Sequence, residues 1–105
     1  MKTLLHGGTA VSGTGMQKLD ILIENEKIVQ MQPHISAADA QAVDCTGKLL
    51  FPGFIDGHTH FDLEVCGTIT ADTFASGSRA ALRGGTTMVV DFAAPDKGDT
   101  LAYGL

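Results

Sequence analysis

The segment TADTFASGSRAALRGGTTMVVDFA, residues 70–93, contains a helix pattern followed directly by a strand pattern. Apolar and small residues recur at helical spacing and predict one packing face, formed by Phe74, Ala75, Ser78, Ala81 and Leu82. Thr70 or Asp72 is expected to cap the helix by accepting a hydrogen bond from its free N–H groups. Gly77 lies inside the helix and is expected to weaken it by about 1 kcal/mol relative to alanine.

The residues before and after this helix predict two parallel strands. Gly84-Gly85 ends the helix, and the near-continuous apolar run 86–93 predicts a strand that is covered on both faces. GFID, residues 53–56, predicts another short buried strand before the helix. Strand, helix and strand form a βαβ unit with parallel strands. Because (β/α)8 barrels carry their functional groups at the carboxyl ends of the strands, we expect chemistry just after residue 56.

Asp56, His58 and His60 occupy alternate positions at that strand end. Residues two apart on an extended chain point the same way, with α-carbons about 6–7 Å apart. Two imidazoles so placed can converge on one Zn²⁺ ion. Solvated loop histidines, hydrogen-bonded to their neighbours, are the alternative interpretation. The strand context and the aspartate on the same face favour a metal, because polar groups buried in register need a partner.

Residues 1–51 contain short segments in which apolar and polar residues alternate, and turn residues separate these segments. Gly7-Gly8 predicts a hairpin between the first two strands, and Asn25-Glu26 predicts a second hairpin. Thr46-Gly47 joins two further short strands. Small antiparallel strands at this spacing indicate part of a sandwich or barrel. We therefore divide the chain into an N-terminal segment of short strands, 1–51, and a βαβ segment, 52–105.

Composition and charge exclude several classes of partner. The formal net charge is −5 and the basic residues are scattered, which argues against nucleic acid and anionic membrane surfaces. No run approaches the roughly 18 apolar residues of a membrane-spanning helix, and the first residues do not read as a signal peptide. Cys45 and Cys66 lack metal-binding spacing. We expect a cytoplasmic protein with reduced thiols.

The segment PGFIDGHTHFD, residues 52–62, resembles the first-strand motif of the amidohydrolase superfamily, a TIM-barrel group of metal-dependent hydrolases. FASGSRAALRGGTTM, residues 74–88, resembles in particular the dihydropyrimidinase and hydantoinase branch, which opens cyclic amide rings. The resemblance implies a mixed α/β fold, in which a small N-terminal β-sandwich segment, 1–51, precedes a barrel-forming segment, 52–105. The second segment would supply the first βαβ unit of an incomplete (β/α)8 barrel. It also implies a small cyclic amide substrate and a homo-oligomer, a homotetramer by family resemblance.

The resemblance implies roles for individual residues. His58 and His60 match the histidines that bind the more buried metal of a two-metal centre, with Zn²⁺ expected and Mn²⁺ or Co²⁺ able to replace it. Asp56 matches the motif's leading aspartate and is interpreted as support for a histidine or nearby backbone. Leu63 and Val65 match a loop that closes over the substrate. In such enzymes a hydroxide that bridges the metals attacks the amide carbon.

The remaining parts of such a site are not found in this sequence. The family's bridging lysine, two further histidines and the catalytic aspartate come from later strands, so no catalytic residue is expected here and these groups are expected beyond Leu105. Asp91 and Lys97 do not substitute for them. A barrel needs eight strands and about 250 residues. We expect the chain alone to be inactive and, with its apolar faces uncovered, to self-associate or to fold marginally.

Several other residues are expected to have ordinary structural roles. Asp20 is interpreted as a solvated charge at a strand edge, Met88 and Phe92 as strand-core residues, and His6 and His34 as surface histidines.

Three alternatives stay open. A related amidohydrolase, such as a dihydroorotase, an allantoinase or a deaminase, shares the H-x-H strand. A non-catalytic dihydropyrimidinase-like protein would lack the metal ligands, so the intact His58 and His60 argue against it. A β-rich binding module would explain the first half of the chain but leave the βαβ unit without a role.

Overall fold

A computed structural model describes residues 1–100, 102 and 103. Residues 101, 104 and 105, at the end of the predicted barrel-forming segment, lie outside the described residues. The chain forms two compact units, Met1–Pro52 and a second that begins at Gly53, and each is described by itself. Among the residues that the structure describes, no helix is long and apolar enough to cross a membrane.

The first unit contains seven described strands, arranged in two sheets. They are β1 (Lys2–His6), β2 (Thr9–Ser12), β3 (Gly15–Lys18), β4 (Asp20–Glu24), β5 (Lys27–Gln32), β6 (Gln41–Asp44) and β7 (Leu49–Leu50). One sheet has the strand order β5-β4-β1-β6 and the other has the order β3-β2-β7. Strand β3 and its pairing with β2 were not anticipated from the sequence.

The hairpin predicted at Gly7-Gly8 is wrong, because β1 and β2 belong to different sheets. Gly7 has φ 73°, and its N–H donates to the Asp20 carboxylate, so this glycine pair turns the chain from one sheet into the other. Thr46-Gly47 likewise separates strands of the two sheets, β6 and β7. β6 pairs in parallel with β1, and β7 pairs in parallel with β2. The first unit is therefore mixed rather than antiparallel.

The hairpin predicted at Asn25-Glu26 is confirmed. β4 pairs antiparallel with β5, and Glu24 faces Lys27 across the two-residue turn. Asn25 and Glu26 have φ values of 48° and 67°. Positive φ at both central residues is the type I′ geometry, whose twist matches that of the flanking strands.

A small apolar core holds the larger sheet of the first unit together. Leu4 of β1, Leu22 of β4 and Ile35 of the following connection form its buried cluster. Ala37 and Ala40 pack against this cluster and are partly buried. The connection after β5 thus covers the sheet as well as joining two strands.

Asp20 is buried, with 6% of its surface exposed, so its interpretation as a solvated edge charge is wrong. Its carboxylate accepts hydrogen bonds from the N–H groups of Gly7, at 2.9 Å, and Ile35, at 3.0 Å. These two bonds lower the pKa of Asp20 below its ordinary value, with the nearby His34 as a smaller cause. Asp20 therefore ties the turn after β1 and the connection after β5 to the start of β4.

The second unit contains a parallel strand pair around a helix and a short hairpin. Its elements are β8 (Phe54–Thr59), β9 (Glu64–Val65), β10 (Thr68–Ile69), α1 (Phe74–Arg83) and β11 (Thr86–Asp91). β8 pairs in parallel with β11, which is the predicted βαβ arrangement. Phe54, Ile55 and Met88 are 57%, 65% and 56% exposed, so the expected cover on both strand faces is not found. The described residues contain no closed barrel, and the barrel assignment stays a prediction.

Helix α1 begins with a capping box, and its N-cap differs from the predicted ones. Thr73, rather than Thr70 or Asp72, is the N-cap. Its hydroxyl accepts from the Ser76 N–H at 3.2 Å, and the Ser76 hydroxyl accepts from the Thr73 N–H at 3.0 Å. Asp72 contributes indirectly by accepting from the Ser76 hydroxyl at 2.9 Å. The reciprocal pair satisfies two N–H groups at the helix start, which neither predicted cap does alone.

The packing face of α1 also differs from the predicted one. Gly77 is buried, Ser78 and Ala81 are partly buried, and the expected anchors Phe74 and Leu82 are 55% and 63% exposed. A Cβ atom at Gly77 would overlap the ring of Phe61. Glycine therefore allows the helix to approach this ring closely. The residue has a low helix propensity, but the contact with Phe61 leaves no room for a side chain.

Candidate metal centre

His58 and His60 converge at the carboxyl end of β8. Their Nε2 atoms lie 3.0 Å apart, and their rings meet edge to face with centroids 4.9 Å apart. Both side chains are exposed. A tetrahedral metal with bonds of about 2.0–2.1 Å holds two nitrogens about 3.3–3.4 Å apart, so a small adjustment suits this pair to one ion. Their binding of metal stays a prediction.

Asp56 supports this strand end through the backbone. Its Oδ1 accepts a hydrogen bond from the His58 N–H at 3.1 Å, so the carboxylate fixes the peptide that carries the first imidazole. Within the described part of the chain, no three histidine, cysteine or carboxylate side chains cluster closely enough to hold a metal ion. The interpretation of Asp56 as a supporting residue rather than a third ligand stays a prediction.

The pairing of β8 with β11 is irregular next to the histidines. Asp56 pairs with Val89 and Thr59 pairs with Asp91, so three steps along β8 match two along β11. An extra residue in one strand bends it and redirects nearby side chains. The irregularity lies at the segment that contains His58, and a strict two-residue alternation does not predict it.

Asp91 is the residue of this region whose role the sequence analysis missed. Its Oδ1 accepts hydrogen bonds from the Thr59 hydroxyl at 2.8 Å and from the Phe61 N–H at 3.1 Å. Both donors flank His60. The only sequence signal for this role is a carboxylate at the end of an apolar strand, next in order to the strand that carries the histidines.

Phe92 packs against both imidazoles. Its ring centroid lies 4.5 Å from that of His58 and 5.4 Å from that of His60. Because β11 ends at Asp91 and Phe92 is 46% exposed, the expectation that Phe92 is a strand-core residue is wrong. Met88, at 56% exposed, is likewise not a core residue here. Phe92 forms an apolar wall beside the histidine pair.

A family model described as the amidohydrolase family matches residues 49–103, which include the histidine pair, α1 and β11. The chain belongs to the amidohydrolase family. This finding confirms the family resemblance that the H-T-H motif carried in the sequence.

Curated relatives place this amidohydrolase chain near one branch. It is 42% identical over 104 residues to dihydropyrimidinase 1 of Caenorhabditis elegans, with 96% of this chain and 21% of that protein covered. It is 46% identical to the dihydropyrimidinase of Arabidopsis thaliana, with 96% and 19% covered. It is 42% identical to the D-hydantoinase of Geobacillus stearothermophilus, with 96% and 21% covered. The chain thus spans about a fifth of the length of these relatives.

Solved structures agree with this placement. The crystal structure of dihydropyrimidinase from Brevibacillus agri NCHU1002 matches with a TM-score of 0.94 and 42% identity, over 99% of this chain and 23% of that one. A crystal structure of D-hydantoinase matches with a TM-score of 0.93 and 38% identity, over 99% and 23%. The sheet-rich fold of the amidohydrolase chain therefore corresponds to part of these structures.

Val65 and Leu63 were predicted to lie over the substrate. Val65 is part of a short hairpin that was not anticipated from the sequence, and Leu63 precedes this hairpin. Val65 of β9 is 47% exposed. Leu63 is partly buried and its N–H donates to the Thr70 hydroxyl at 2.9 Å, which closes the base of the hairpin. Cys66 and Gly67, both with positive φ, form the turn, beside an open pocket of about 390 Å³. A role of this hairpin in covering the substrate of the amidohydrolase stays a prediction.

Proposed function

We propose that this chain supplies the two-histidine part of the metal centre of a cyclic amide hydrolase of the dihydropyrimidinase or hydantoinase type. The observation that carries the proposal is the 3.0 Å approach of the His58 and His60 Nε2 atoms at the end of a strand in a parallel pair. Imidazole nitrogens are the ligands that zinc prefers in hydrolases, and strand ends are where barrel enzymes hold them.

His58 and His60 would hold one metal ion through Nε2, with Zn²⁺ expected and Mn²⁺ or Co²⁺ able to replace it. When bound, a metal pair of this kind supplies Lewis acidity toward the amide carbonyl and activates water to attack it. The chain's own residues prepare the site. Asp56 holds the His58 peptide, and Phe92 covers one side of both rings.

The charge balance of the second unit also favours a cation. From Gly53 onward the sequence contains seven acidic and three basic residues. An excess of negative charge raises the local concentration of cations and repels anions, including nucleic acid. This balance supports a metal ion and a neutral ring as the partners of the second unit.

The proposed substrates are dihydropyrimidines or hydantoins, whose cyclic amide bond would be hydrolysed. The dihydropyrimidinase and D-hydantoinase names of the relatives support this branch over dihydroorotase and allantoinase. In the hairpin of β9 and β10, Val65 with Leu63 at its base would contact the side group of the ring. A cytoplasmic homotetramer is proposed from the family resemblance. With two ligands in its described part, the 105-residue chain alone is proposed to be inactive.

Titration of metal-free chain with Zn²⁺, followed by calorimetry, tests this proposal. We expect one bound ion per chain, and we expect His58→Ala with His60→Ala to abolish binding. His34→Ala serves as the control, because it removes an exposed histidine of the first unit. Absence of Zn²⁺ binding would contradict the metal site. Hydrolysis of 5,6-dihydrouracil or hydantoin by the Zn²⁺-loaded chain would contradict the proposed inactivity.

A further inference from the structure

We propose that Asp91 is a positioning residue for the histidine pair. By holding the residues on both sides of His60, its carboxylate fixes that imidazole against His58. The inference rests on the proposed metal-binding function, and it assigns to the end of β11 a role in building the site on β8.

Both hydrogen bonds of Asp91 end on the same oxygen. Oδ1 accepts from the Thr59 hydroxyl at 2.8 Å and from the Phe61 N–H at 3.1 Å. Asp91, Thr59 and Phe61 are partly buried, whereas the histidines themselves are exposed. Partial exclusion of water strengthens hydrogen bonds to a carboxylate, so this contact is a firmer anchor than an exposed one.

The two histidines need separate anchors because they lie in different environments. His58 lies within β8, and Asp56 accepts from its N–H. His60 follows the last residue of β8, so strand pairing does not hold it directly. Strand β8 holds the backbone before His60, whereas a freely rotating backbone after it would make the close approach of the Nε2 atoms entropically costly. Asp91 restricts that freedom by accepting from the Phe61 N–H, and it also holds the Thr59 side chain.

Groups that orient a metal ligand typically change metal affinity by 10- to 100-fold when they are removed. We therefore expect Asp91→Ala to weaken Zn²⁺ binding by about 10-fold or more. Asp91→Asn should retain affinity within about threefold of the wild type, because its amide oxygen can accept both hydrogen bonds from where Oδ1 lies. The contrast between alanine and asparagine separates positioning from a simple loss of charge.

The experiment combines Zn²⁺ calorimetry with amide hydrogen exchange of the metal-free chain, followed by NMR. In Asp91→Ala we expect weaker binding and faster exchange at the Phe61 N–H, while circular dichroism stays unchanged. Thr59→Val removes one of the two hydrogen bonds to Asp91, together with the 3.3 Å contact of the hydroxyl with the Val90 carbonyl, and changes the side-chain shape little. It should give an intermediate loss, so it replaces Asp91→Ala if that variant does not fold. Asp96→Ala is the matched control, since it removes an exposed carboxylate of the same unit.

The outcomes separate this inference from the proposed function. If the wild type binds Zn²⁺ and Asp91→Ala binds it equally well, the positioning role is overturned. If the wild type does not bind Zn²⁺, the proposed function fails, and measurements on the metal-free chain test the positioning role. Loss of hydrogen-exchange protection at the Phe61 N–H and of the contact between the two imidazole rings in Asp91→Ala would support that role. Retention of both would overturn it.

Discussion

The ring of Phe61 occupies the space into which a side chain at Gly77 would project. Alanine at a helix interior is favoured over glycine by about 1 kcal/mol, whereas forcing an extra carbon into a packed contact costs about 1–3 kcal/mol. We therefore expect Gly77→Ala to lower the free energy of unfolding, by about 1 kcal/mol, in urea titrations followed by circular dichroism.

The sign of this change should reverse when the ring is removed. In a Phe61→Ala background, Gly77→Ala should raise the free energy of unfolding by up to about 1 kcal/mol, because only the helix propensity remains. Ala80→Gly, at an exposed position of the same helix, calibrates that propensity. Destabilisation by Gly77→Ala in both backgrounds would show that the contact with Phe61 is not the cause.

Stability of the first unit should fall at acid pH through Asp20. Its pKa in the folded chain lies below the ordinary value of 3.8 because the Gly7 and Ile35 N–H groups stabilise the carboxylate. A lowered pKa contributes stability that is fully present above the ordinary value and is lost as the pH falls through the folded value. We expect the urea midpoint to drop as the pH is lowered from 5 toward 2.

Asp20→Asn tests this assignment. The amide has one acceptor oxygen in place of two, so the variant should have a lower urea midpoint at pH 7 and a smaller change below pH 4. Asp39→Asn is the control, since the lowered pKa of Asp39 comes from an exposed pair with Lys2 at 2.8 Å. An unchanged acid profile in Asp20→Asn would assign the pH dependence to other groups.

The turn at Asn25-Glu26 offers a stabilising substitution. Glu26 has φ 67°, a left-handed conformation that costs a non-glycine residue about 1–2 kcal/mol. Glycine avoids this cost but gains freedom in the unfolded chain, so Glu26→Gly should stabilise the first unit by about 0.5–1 kcal/mol. Urea unfolding measures the gain. Glu26→Ala keeps the side-chain penalty and should be neutral, and an equal gain in both variants would contradict the conformational explanation.

Local sequence patterns predicted the secondary-structure elements of this chain better than they predicted the contacts between distant residues. The βαβ arrangement and the approach of His58 and His60 follow from periodicity within a few residues, and both are found. The role of Asp20 depends on N–H groups 13 and 15 residues away, and that of Asp91 on donors 32 and 30 residues away. Such pairings depend on how the sheets assemble, which alternation within one strand does not encode.

The failed hairpin at Gly7-Gly8 has the same origin. A glycine pair between two short strands fits a two-residue turn equally well as a change of sheet. β4 and β6 pair with the two edges of β1, so β2 pairs with other strands. The residues near the turn do not indicate that β4 and β6 occupy these edges.

Phe92 should influence metal binding through its contact with the histidine rings. Its centroid lies 4.5 Å from that of His58, and aromatic pairs at such distances contribute about 0.5–1.5 kcal/mol. Removal of the ring frees both imidazoles to adopt other rotamers, so Phe92→Ala should weaken Zn²⁺ binding by about twofold to tenfold. Calorimetry of the 105-residue chain measures the change. Phe92→Tyr should retain wild-type affinity because it keeps the ring, and Tyr103→Ala removes a more exposed ring of the same unit as the control. Equal Zn²⁺ affinity in Phe92→Ala and the wild type would show that the histidine pair is held without this wall, by the backbone supports of Asp56 and Asp91 alone.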